Sequence, residues 1–109
     1  MKLEILQKTY TKLQQQVEKA ERLNQPIEHL VKQQIKILEE VHDEYVSSAL
    51  AQNKNIENSL DFIGTKIKQL QAIASLCKKI GLPTEKYDKQ IREIRIKSLG
   101  VDFVNERYK

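Results

Sequence analysis

Few side chains in this 109-residue chain could do chemistry: it has two histidines, one cysteine and no tryptophan. The one metal-like spacing is Glu39-Glu40-Val41-His42, where Glu39 and His42 match the Glu-x-x-His step of di-iron helical bundles. Such a centre needs a second pair on another helix, and His29 has Pro26 where that pair's glutamate would stand. Glu39 also falls off the apolar arc of its segment while His42 lies at its flank, so the pair does not point jointly inward. A boundary histidine beside a solvated acidic face is the expectation, with no metal site. Cys77 and a histidine could form a nucleophile and base, but no orienting group or glycine turn accompanies them. Walker, dinucleotide and other Gly-rich phosphate loops do not occur. A non-enzymatic protein without a cofactor is expected.

Charge carries more information. Residues 1 to 54 hold eight basic and eight acidic side chains, while residues 55 to 109 hold eleven and seven, so the net +4 sits in the C-terminal half. Lys78, Lys79, Arg92 and Arg95 are the candidates for a phosphate-binding surface on nucleic acid. Against that reading, the bases of the last helical segment scatter around its wheel without an aromatic platform. The Gly81-Leu82-Pro83 turn also follows a helix too long for a helix-turn-helix. Nucleic acid is therefore the alternative partner, behind protein, and a membrane-surface helix is not expected.

The elements that must position these groups read as all-α. Three glycines, two prolines and a predominance of strong helix formers leave little room for strands or long loops. The predicted architecture is an antiparallel helical bundle of three long helices and a short C-terminal fourth, as one domain over residues 1–109. The helices are placed at about 2–23, 26–52, 55–80 and 85–98, followed by a tail over 101–109. In the first, Leu3, Leu6, Tyr10, Leu13, Val17 and Ala20 recur in 3-4 spacing as a narrow coiled-coil seam. Pro26 suits the first turn of the second helix, with Asn24 or Gln25 as cap. Its apolar face is Ile27, Leu30, Val31, Ile37, Leu38, Val41, Tyr45 and Ala49, widened by Ile35 and Val46; Glu39, Glu40, Asp43 and Glu44 lie opposite.

The region from Ile56 to Ile80 is the central helix. Ile56, Leu60, Ile63, Ile67, Leu70, Ala74 and Cys77 make one stripe, and Phe62, Ile73, Leu76 and Ile80 a second beside it, so it should touch two neighbours. A tight turn near Asn53-Lys54-Asn55 separates it from the second helix. The competing reading is a single continuous helix over 26–80 in a coiled-coil dimer, since no Gly or Pro interrupts Ile27 to Ile63. Gly81 reads as a left-handed C-cap, with Leu82 supplying its hydrophobic contact and Pro83 the stop. Thr84 reads as the N-cap of the fourth helix. A hairpin around Ser98-Leu99-Gly100 is a lesser alternative.

One cysteine permits no internal disulfide, and no stretch of apolar residues is long enough to span a bilayer, so a cytoplasmic, soluble protein is expected. By elimination and by the breadth of the apolar faces, the expected function is protein–protein interaction, as an adaptor, a chaperone-like protein, a small subunit of an assembly or a homodimer. Helix-in-groove packing is the mechanism. The candidate contacts are Phe62, Ile73, Leu76, Ile80, Val101, Phe103 and Val104.

Overall fold

The computed structural model describes residues 2–107. Its elements are α1 (Lys2–Arg22), α2 (Glu28–Gln52), a short 3-10 turn (Lys54–Asn58), α3 (Leu60–Lys79), α4 (Glu85–Leu99) and α5 (Val101–Arg107). The all-α reading holds, and four long helices pack in sequence order, α1 on α2, α2 on α3 and α3 on α4, while α5 lies on α4. Contacts between distant residues fix the directions. Gln34 on α2 bonds Gln14 on α1, and Lys2 approaches Glu44; His42 and Tyr45 meet Gln69 and Phe62 on α3. α1 and α2, and α2 and α3, therefore run antiparallel, and so do α3 and α4, since Ile63 and Lys66 share a groove with Ile94 and Lys97 while Ala74 and Lys78 lie by Ile91 and Asp88.

The breaks between helices have local chemical causes. α1 ends in a Schellman turn in which Asn24 adopts φ 55°, Gln25 N–H donates to the Ala20 carbonyl at 2.8 Å, and Asn24 N–H to that of Glu21. Asn24 thus closes α1, and the cap position of α2 falls to Ile27, with Glu28 opening the helix. α3 ends in the same motif: Leu82 N–H donates to the Cys77 carbonyl at 2.8 Å and Gly81 sits at φ 76°. Thr84 does stand at the cap of α4, but its hydroxyl bonds the Asp88 carboxylate at 2.7 Å and leaves the backbone amides alone.

A continuous helix over 26–80 is ruled out. Asn53 is extended at φ −154°, and its side chain accepts from Asn55 N–H at 3.0 Å, which tightens Lys54–Asn58 into a 3-10 turn. Ser59, extended at φ −74° and ψ 131°, then resets the helical phase. As a result α3 starts at Leu60, later than residue 55, and Leu60 is 80% exposed and no member of the inward stripe. The hairpin alternative also fails, because α4 runs unbroken to Leu99 before Gly100 turns the chain at φ 92°.

Both stripes of α3 are used. Leu70, Ala74 and Cys77 from one and Phe62 and Ile73 from the other are buried, with α2 and α4 as the two neighbours. The main core joins Val17, Val31, Ile35, Leu70, Ile73, Ala74, Cys77, Tyr87 and Ile91. Those residues belong to the C-terminal parts of α1 and α3 and the N-terminal parts of α2 and α4, which antiparallel packing brings to one end. The core is therefore polarised. The opposite end is held by a smaller contact, Tyr45 stacked on Phe62 with ring centroids 5.6 Å apart. The molecule spans 47 × 36 × 16 Å with a radius of gyration of 15.9 Å. A compact domain of this length would have about 13 Å, so the helices form a flat, open row.

Two glycines predict opposite results. Gly64 is mid-helix with open space where a Cβ would stand, so Gly64→Ala is expected to stabilise by up to about 1 kcal/mol. Gly81→Ala meets no atom either, but forces alanine into the left-handed region, and a loss of about 1 kcal/mol is expected. Thermal melts should move the midpoint in opposite directions for the two variants.

Candidate functional site

Three places bring together groups with chemical potential. The first is polar and interior. Glu39 on α2 is half-buried, contrary to its expected place on a solvated face, and accepts a short hydrogen bond from the Tyr87 hydroxyl on α4. Its position four residues after buried Ile35 is the signal that places it inward. Burial first, then the bond to Glu39 and that carboxylate's charge, push the Tyr87 phenol far above its ordinary range. Cys77 is buried and its thiol is pushed up by desolvation and then by Glu39, which holds it in the unreactive protonated form. His42 shares a hydrogen bond with Gln69 of α3 at 2.6 Å and does not join Glu39 in a ligand set. Among the described residues no three His, Cys, Asp or Glu side chains form a metal-ligating group. This cluster ties α2, α3 and α4 together.

Gln34 is a second interior polar group that the apolar pattern conceals. It is 1% exposed and donates to Gln14 Oε1 at 2.9 Å, while Gln14 Nε2 donates to Glu18 at 3.3 Å. Its helical phase, three residues after Val31 and four before Leu38, marks it as inward although its type does not. An amide pair of this kind fixes the register of α1 on α2.

The second place is a cavity of about 720 Å³ bounded by α3, α4 and α5. Its floor is Ala74, Ile91 and Val104, all buried. Lys78 on α3 and Arg92 and Arg95 on α4 stand around it with Gln71, Ser75 and Asp88. Arg92 also hydrogen-bonds Asn105 of α5. Lys79 is excluded from this group. It points to the other side of α3 and pairs with Glu21 of α1 at 3.1 Å. One step along a helix rotates a side chain by about 100°, so adjacent lysines face different neighbours. The four bases considered for nucleic acid therefore form a cluster of three and one separate ion pair. Lys66 and Lys97 line another groove between α3 and α4, beside Ile63 and Ile94. Desolvation, with help from Lys97, lowers the Lys66 pKa against the opposing pull of Glu57.

The third place is an apolar groove of about 420 Å³ between α1 and α2 at the open end, lined by Leu6, Gln7, Tyr10, Thr11, Ile37, Leu38 and Val41. Leu6, Tyr10, Ile37, Leu38 and Val41 are all half-buried, while Ile5, 64% exposed, faces away from the groove on the other side of α1. The seam of α1 is thus covered over Leu13, Val17 and Ala20 and left partly open from Leu3 to Tyr10.

The apolar contacts expected from the sequence distribute differently. Phe62, Ile73 and Val104 are at most 1% exposed and belong to the interior, so they present no surface to a partner. Leu76 and Ile80 are half-buried against the main core. Phe103 is exposed, with the Arg107 guanidinium 5.9 Å from its ring centre, and the side chain of Val101 lies outside the described residues. Leu60, Leu99 and Phe103 are exposed on α3, α4 and α5, and an open apolar groove lies between α1 and α2, away from the expected contacts. The signal was present in the seam of α1, whose apolar residues outnumber those one flanking helix can cover at its splayed end.

Compared with known proteins, the chain matches no family model, no curated protein and no solved structure. Within residues 2–107 no helix is long and apolar enough to cross a membrane.

Proposed function

We propose that this protein is a non-enzymatic protein–protein interaction module, of the kind that serves as an adaptor or small subunit, and that its docking surface is the α1/α2 groove. The observation that carries this reading is the uncovered stretch of the α1 seam beside an uncharged, apolar groove. The occupant is a second copy of the chain. Each copy carries both parts of the pairing: the groove, and a helix whose half-buried Leu3, Leu6 and Tyr10 supply the apolar stripe that fills one. A two-fold axis lets both copies bury the same surface at once and closes the assembly at two. The partner helix enters as in other helix-in-groove complexes. The single buried thiol, Cys77, supports a reducing, cytoplasmic setting.

Sedimentation velocity tests the pairing. A dimer is expected at micromolar concentration, with Thr11→Glu and Val41→Glu, both in the groove, each shifting it to monomer while far-UV circular dichroism stays unchanged. Because Thr11 is exposed, its replacement should change monomer stability by no more than about 0.5 kcal/mol. A wild-type chain that remains monomeric up to about 1 mM, where even a weak pairing would appear, overturns the self-pairing.

A further inference from the structure

From the cavity bounded by α3, α4 and α5 we infer a binding site for a small soluble phosphomonoester with a compact aliphatic body, separate from the α1/α2 groove. The charge matches this ligand class. Lys78, Arg92 and Arg95 line the opening with Asp88, so bases outnumber acids on the rim, as an anionic ligand requires. Arginine presents paired N–H donors in a plane that fits phosphate oxygens, and lysine adds a mobile point charge. Gln71 and Ser75 add neutral hydrogen-bonding groups on the same rim.

Shape and lining narrow the class further. At about 720 Å³ the cavity falls in the range of small-molecule pockets, roughly 300–1,000 Å³. Its floor of Ala74, Ile91 and Val104 is aliphatic, so it covers a hydrocarbon group and offers no ring on which a nucleobase could stack. The three cations converge on one cavity and do not form a track along the surface; the neighbouring Lys79 is turned away and held by Glu21. A compact anion is thus favoured over an extended polyanion. α5 closes one side, placing buried Val104 in the floor while its Asn105 holds Arg92.

Isothermal titration calorimetry of the full chain with n-butyl phosphate tests the site. One-to-one saturable binding is expected, weakening with added salt and at least about tenfold tighter than for inorganic phosphate, since the alkyl group loses water against the floor. Lys78→Gln and Arg92→Gln should each weaken it by about tenfold or more, because each removes a charged donor to the phosphate. Lys79→Gln, outside the cavity, should leave it unchanged. Circular dichroism confirms that every variant is folded, and Val104→Met, which fills the floor while sparing all three cations, should abolish the preference for the butyl ester over inorganic phosphate.

The inference is overturned by the absence of saturable binding, or by equal losses in the Lys78 and Lys79 variants. It is also overturned if single-stranded RNA, or phosphatidylcholine vesicles containing phosphatidate, bind through Lys78 and Arg92 and n-butyl phosphate does not compete.

Discussion

Phe62→Ala is expected to lower the stability of the folded chain by about 3–5 kcal/mol. The ring is 1% exposed, stacks on Tyr45 at 5.6 Å between centroids and an interplanar angle of 20°, and lies under the Lys66 ammonium at 4.6 Å. Truncation removes the transfer free energy of the aromatic ring and leaves a hole at the end of the molecule farthest from the main core. Few other buried side chains are there to close it. Total stability of a domain this size is about 5–15 kcal/mol, so the loss is a large share of it. Urea unfolding should show the midpoint falling with its slope unchanged. Phe62→Leu should cost clearly less, because most of the volume stays. The alternative assignment of Phe62, as a contact for a partner, requires the reverse pattern: an unchanged unfolding midpoint and a weakened association.

Tyr87→Phe should cost about 1.5–3 kcal/mol at neutral pH, the usual value of a hydrogen bond to a charged group. The hydroxyl donates to the Glu39 carboxylate and links α4 to α2 across α3. The stronger signature is in the pH dependence. Burial and Glu39 raise the folded-state pKa of Tyr87 far above its ordinary 10.0, so the native state keeps a proton that the unfolded chain releases. Tyr87's contribution is therefore complete below about pH 10 and is lost progressively as pH rises beyond that value toward the folded-state pKa. Cys77, raised from 9.0 by burial and by Glu39, acts with the same sign from about pH 9. Urea midpoints between pH 7 and 11 should fall steeply in the wild type. Tyr87→Phe should flatten the decline above pH 10, and Cys77→Ala should delay its onset. An identical alkaline slope in Tyr87→Phe and wild type would contradict a protonated, Glu39-bound phenol.

Glu39 illustrates why the candidate sites were only partly legible. Its acidic type placed it with Glu40, Asp43 and Glu44 on the outer face of α2, whereas its phase, four residues after Ile35, put it within reach of α4. Hydropathy reports what a side chain prefers when nothing pairs with it. A tyrosine hydroxyl from another helix offsets that preference, and Tyr87 is 48 positions away. Gln34 was hidden for the same reason, its partner being Gln14 on α1. Lys78 and Lys79 show the converse: neighbours in sequence, they were grouped by charge, and the helix sent one to the cavity and the other to Glu21.

Although the fourth helix is longer than expected and the tail forms α5, the sequence by itself determined the all-α class, the first three long helices, the stop at Gly81-Leu82-Pro83, the change of helix near Pro26 and the two-sided apolar surface of α3. These are local properties, set by propensity, by φ restriction and by a 3.6-residue period, and each can be read within a short stretch of chain. Only the tertiary structure decided where the core concentrates, which apolar faces remain open and which charges converge. Each of those depends on the way helices splay from their neighbours. The same 3-4 spacing along α1 gives buried Val17 where α2 and the core close over it and half-buried Leu6 where the row opens.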